Sequence, residues 1–76
     1  MNQTTEKWRA LRKTIGQNIH SLRLKKNLPL KKLSVASGIA GDVIDYYELG
    51  KGEPDMQSLL KISHALEVDI SKLIES

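Results

Sequence analysis

With 76 residues, a net charge of +3 and no cysteine, the chain has room for one domain with a modest core. That rules out a disulfide framework and a thiolate metal centre, and it argues against an enzyme with a deep pocket. Residues 1–32 carry nine Lys/Arg against one acid, Glu6, a charge of +8, whereas residues 33–76 carry three Lys against eight acids, a charge of −5. Such a lopsided chain suits a phosphate-binding face, self-association through opposite charges, or two solvated surfaces.

The opening MNQTTEKW lacks the apolar stretch of a signal peptide, and no run reaches the ~18 apolar residues of a membrane span. A cytoplasmic protein with no membrane partner is the expectation. Residues 1–4 are polar and expected to fray. Beyond them Trp8, Leu11, Ile15, Ile19 and Leu22 recur every three or four residues, one stripe of an amphipathic helix. The spacing predicts a first helix from about Thr5 to Lys26, with Thr5 as N-cap and Asn27 as a left-handed terminator. Trp8 and Leu11 should cover the end of the last helix or join a dimer contact.

LPLKKLSVAS at 28–37 reads as a second helix with Pro29 near its start, where the missing N–H is harmless. AGDVIDYYE at 40–48 reads as a third, ended by the turn-rich GKGEP. Asp55 suits the N-cap of a fourth helix, whose apolar positions are Met56, Leu59, Leu60, Ile62 and Leu66. Val68 follows in a connection, Asp69 caps a fifth helix, and Leu73 with Ile74 should close the core. Residues 1–14 read as an N-terminal extension of the first helix and 15–76 as the domain proper, with no repeats or linkers.

The stretch from Leu30 to Tyr47 organises the rest. Leu33, Ser34, Gly38, Ile39, Ile44 and Tyr47 place small or apolar groups wherever two crossing helices must touch, the layout of a helix-turn-helix. Gly38 fits a helix C′ position with positive φ. Ser34 is small where the next helix approaches.

Four segments, IGQNIHSLR at 15–23, LPLKKLSVASGI at 28–39, VIDYYELGKGEP at 43–54 and LLKISHALEVDISKLI at 59–74, together resemble the phage repressor/Cro-type (Xre-like) helix-turn-helix family. The resemblance implies an all-α, compact five-helix domain that regulates transcription, usually as a homodimer, with its third helix in the major groove of double-stranded DNA. It implies close packing at Gly16 and an ion pair between Arg23 and Glu48, a structural rather than catalytic pair.

By the same resemblance the DNA-facing positions are Ala40, Gly41, Asp42, Val43, Asp45 and Tyr46, and Leu30 stands where a phosphate-holding Gln is common. None of the six is Arg, Lys, Gln or Asn, the side chains that make bidentate contacts to G or A. Asp can accept from cytosine N4 and Val43 can touch a thymine methyl, but residues 38–48 hold three acids and no base. Lys31, Lys32 and Lys51, with Arg23, Lys25 and Lys26, are the candidates to hold phosphates. The alternative is a degenerate helix-turn-helix that binds protein, as an anti-repressor does, through an apolar patch of Leu30, Val43 and Tyr46.

His20 and His64 have no companions at ligand spacing, so no metal or cofactor is expected and both histidines should lie at the surface. Ser34, Ser37 and Ser63 lack a partner base, and GKGEP lacks the context of a phosphate loop. Neither catalysis nor a small-molecule substrate is expected.

Overall fold

The computed structural model describes residues 3–76. Five helices follow one another: α1 (Gln3–Lys25), α2 (Leu30–Ser37), α3 (Gly41–Glu48), α4 (Met56–Leu66) and α5 (Ser71–Ile74). Met1 and Asn2, part of the tail expected to fray, lie outside the described residues; Gln3 and Thr4 are helical. Helix α1 therefore begins upstream of Thr5, which sits in its first turn rather than capping it. Nothing in NQTTEK breaks a helix, so the several polar residues gave no unique start.

Backbone closures end four of the helices. Asn27 takes φ 52° while the Leu28 N–H donates to the Arg23 carbonyl at 3.0 Å and the Asn27 N–H to Leu24 at 2.9 Å, a Schellman closure. Gly50, at φ 74°, and Glu67, at φ 58°, close α3 and α4 in the same way. Gly38, also at φ 74°, ends α2 with one bond from its N–H to the Ser34 carbonyl at 2.9 Å. Helix α2 starts two residues later than its apolar pattern suggests, because Pro29 holds Leu28 out of the helical region and itself stands in extended geometry at the N-cap. Asp55 caps α4 by accepting from the Ser58 N–H at 2.8 Å, and Asp69 accepts from the Ser71 N–H at 2.9 Å; these bonds hold both carboxyls below the usual range.

Every helix gives to one core: Ile15 and Ile19 from α1, Leu33 from α2, Ile44 from α3, Leu59, Ile62 and Leu66 from α4, and Leu73 from α5. Met56 and Leu60 are exposed instead, because they lie about 90–130° round the helix from the centre of the Leu59–Ile62–Leu66 row. Ile74 is likewise exposed, leaving Leu73 alone to close the core from α5. Leu11 packs half-buried on the core, but Trp8 is 37% exposed and all of residues 3–10 face solvent. Twenty-three residues at ~1.5 Å each make α1 the long axis of a molecule 39 Å by 21 Å by 20 Å. Asn18 ties α5 to α1 by donating to the carbonyls of Leu73 (2.9 Å) and Glu75 (2.7 Å).

Gly16 is buried under the last turn of α3, and a Cβ there would run into the Tyr47 carbonyl oxygen and come within 2.9 Å of that of Glu48. Ala would gain about 1 kcal/mol of helix propensity but would push against backbone that cannot swing aside. Gly16→Ala should therefore lose stability by a net ~1–3 kcal/mol, read as a lowered melting temperature with helical signal retained below it. An unchanged or raised melting temperature would show that α3 can retreat without cost.

Candidate nucleic-acid interface

Helix α3 is eight residues long, too short to persist alone, so its pose is set by what holds it. Two serines stitch the turn before it. The Ser34 hydroxyl donates to the Ile39 carbonyl at 2.6 Å, and the Ser37 hydroxyl accepts from the Ile39 N–H at 3.2 Å. The sequence shows Ser34 only as a small residue and gives Ser37 no role; their spacing across a Gly turn was the available signal. Gly41 is half-buried, its missing Cβ position 3.9 Å from Ser34 Cβ and 4.0 Å from Leu30 Cγ, so α3 starts directly against α2. Leu30 is drawn down onto the core instead of standing with Val43 and Tyr46 as an open patch.

At the far end of α3 a charge clamp takes over. Arg23 Nε donates to Glu48 Oε2 at 2.7 Å and Nη2 to Oε1 at 3.1 Å, a bidentate pair whose side chains are only 12% and 5% exposed. Arg23 Nη1 also donates to the Leu28 carbonyl at 3.1 Å, linking the clamp to the α1–α2 turn. His20 Nδ1 lies 2.8 Å from Glu48 Oε1, so this histidine, half-exposed, is a third member rather than an idle surface residue. Its signal was the His-x-x-Arg spacing, which sets both side chains on one face of α1. Burial pushes the Glu48 carboxyl upward, but the hydrogen bonds and charges of Arg23 and His20 outweigh it and hold it below the usual range. The hydrogen bond to Glu48 raises Arg23 further, with a smaller contribution from the charge of Asp45.

With Ile44 buried and Tyr47 turned half-inward, α3 presents Asp42, Val43, Asp45 and Tyr46 to solvent, and Ala40, at its N-cap, is exposed beside them. Lys31, Lys32 and Lys51 are exposed and form no ion pair among the described residues. Among those residues no group of three or more His, Cys, Asp or Glu could hold a metal, and no helix is long and apolar enough to cross a membrane. His64 is exposed on α4, apart from the clamp.

A family model described as helix-turn-helix matches residues 19–73. The chain belongs to the helix-turn-helix family. This helix-turn-helix chain is 32% identical over 60 residues to the uncharacterized HTH-type transcriptional regulator YqaE of Bacillus subtilis (strain 168), a match that covers 79% of the chain and 52% of YqaE. The chain thus spans about half the length of that curated relative. Among solved structures, it resembles the restriction-modification controller protein C.AhdI of Aeromonas hydrophila, with TM-score 0.81 and 26% identity, over 84% of the chain and 97% of the controller. It also resembles the clp gene regulator ClgR of C. glutamicum, with TM-score 0.79 and 27% identity, over 83% and 82%. All three are named as regulators or controllers, and the chain is a helix-turn-helix domain with the five-helix fold of the two solved structures.

Because the folded-state titration of Glu48 is depressed, its contribution to stability is full above the unfolded carboxyl range and is lost as pH falls through the lower folded value. Glu48→Gln should cost ~1–3 kcal/mol at neutral pH and flatten the stability–pH curve on the acid side. Urea unfolding at a series of pH values checks this, and parallel curves for the two proteins would show that the acid dependence arises elsewhere.

Proposed function

We propose that the protein regulates transcription by binding double-stranded DNA as a homodimer, with α3 in the major groove and Lys31, Lys32 and Lys51 on flanking phosphates. The observation that carries this reading is the locked α2–turn–α3 unit, which bares the outer face of α3 as one continuous solvent surface. Residues 15–76 form the binding unit and residues 1–14 extend its first helix. Such a regulator works in the cytoplasm, where the DNA is.

Affinity in this reading comes from phosphates more than from bases. Asp42 and Asp45 repel the duplex, while Val43 offers a methyl contact to thymine and Asp45 an acceptor for cytosine N4. Tyr46, 52% exposed, and Ala40 and Gly41 complete the contact face. Each of Lys31→Ala, Lys32→Ala and Lys51→Ala should weaken binding to all sequences alike and lower the log–log salt slope by about one unit, measured by anisotropy. Asp42→Asn should tighten binding. Loss of one preferred site on Asp45→Asn would identify that aspartate as a cytosine reader, and no binding by the wild type at low salt would favour a protein partner for the apolar and acidic α3 face instead.

The homodimer is supported by the exposed Met56 and Leu60 of α4 and Ile74 of α5, large apolar groups that the core does not take. Leu60→Glu should shift a dimer to monomer in sedimentation without unfolding it. A wild type that sediments as a monomer at concentrations well above those needed for DNA binding would remove the dimer.

A further inference from the structure

Glu6, Arg9, Lys13, Gly16, His20 and Arg23 follow one another at alternating steps of three and four, so they form a single row along α1. The C-terminal part of this row is occupied. Arg23 and His20 hold Glu48, and Gly16 receives the last carbonyls of α3. The N-terminal part is not, for Arg9 and Lys13 are exposed and neither has a hydrogen-bond or ion-pair partner among the described residues.

The link that leaves α3 lies against these two cations. Leu49 and Gly50 close a groove with Glu6, Arg9, Ala10 and Lys13, and Gly50 is so near that a Cβ on it would stand 3.3 Å from both Cα and Cγ of Lys13. Arg12, on the flank of the row, reaches Glu53 of the same loop at 3.7 Å. Lys51 follows Gly50 directly, so Arg9 and Lys13 continue the cationic surface that begins at the loop. Glu6, at the far end, limits that surface to these two residues.

We infer that the N-terminal half of α1 is a second phosphate-binding surface, in which Arg9 and Lys13 beside the Gly50–Lys51 link engage the DNA backbone outside the stretch covered by α3. This rests on the DNA-binding reading above and extends it to a surface that reading leaves unused. Arg9 and Lys13 are ~6 Å apart along the helix axis, about one turn, so the pair can serve two phosphates of one strand. Arg supplies a fork for bidentate phosphate contact and Lys a point charge.

Anisotropy titrations of the full chain across a salt series, on mixed-sequence duplexes of about one and about three helical turns, test the inference. Arg9→Ala/Lys13→Ala should lower the salt slope by roughly two units on the long duplex and leave it unchanged on the short one, whereas Lys31→Ala/Lys32→Ala should lower it on both. Arg9→Glu/Lys13→Glu should deepen the long-duplex loss, with circular dichroism melts confirming a folded chain. An unchanged slope for Arg9→Ala/Lys13→Ala on the long duplex, where the Lys31/Lys32 variant does lower it, overturns the second surface while the DNA reading stands, including where the melt falls because Lys13 only complements the carbonyl end of α3. Equal loss on both lengths overturns the flanking placement. If the wild type binds neither duplex at low salt, the DNA reading fails and takes this surface with it.

Discussion

The seating of α3 on α1 governs the rest of the molecule. Helix α3 cannot stabilise itself, and its single fully buried side chain, Ile44, fixes only how deep it sits. Gly16 sets the distance, because backbone meets backbone there with no side chain between. Arg23 and Glu48 set the rotation, because a bidentate pair tolerates little twist. Depth, distance and rotation together decide which side chains of α3 face outward, and so which chemistry the domain can offer a partner.

Structural and recognition roles are divided between different residues. The one carboxylate on α3 that is sheltered, Glu48, is neutralised by Arg23 and contacted by His20, while Asp42 and Asp45 remain at the surface without an ion pair among the described residues. Exposed cations without an ion pair among the described residues lie on α1, at the start of α2, in the loop after α3 and, as Lys61, on α4. An acidic helix bordered by basic neighbours draws a duplex in by its edges and penalises close approach at its centre, unless the bases there offer donors.

The fold was legible because its signals are local. Gly38 needs positive φ, Asp55 needs an N–H to accept from, and Ile15, Ile19, Leu33, Ile44, Ile62 and Leu66 each sit on a helical stripe. Periodicity resolves a face only coarsely, which is why Met56, Leu60 and Ile74 read as core although each lies beside the buried row. The Arg23–Glu48 pair spans 25 positions, so it came from family resemblance and not from spacing. His20 and the hydroxyls of Ser34 and Ser37 were missed as partners for the same reason: a side chain's hydrogen-bond partner is set by the tertiary fold, and a sequence pattern carries only its size and polarity. The outward positions of α3 were named by resemblance, and all but Gly41 are solvent-exposed.

The closures at Asn27, Gly38, Gly50 and Glu67 leave the connections little slack, because each spends its first residues satisfying the carbonyls of the helix it ends. The connections within the described residues are short, the longest being the seven residues 49–55 between α3 and α4. A body of this kind meets its partner already in its bound shape, losing little conformational entropy in the encounter. Any fitting between the two surfaces then has to come from the partner, so on a duplex the bending and groove-width energetics of the base sequence would enter selection even at positions that no side chain reaches.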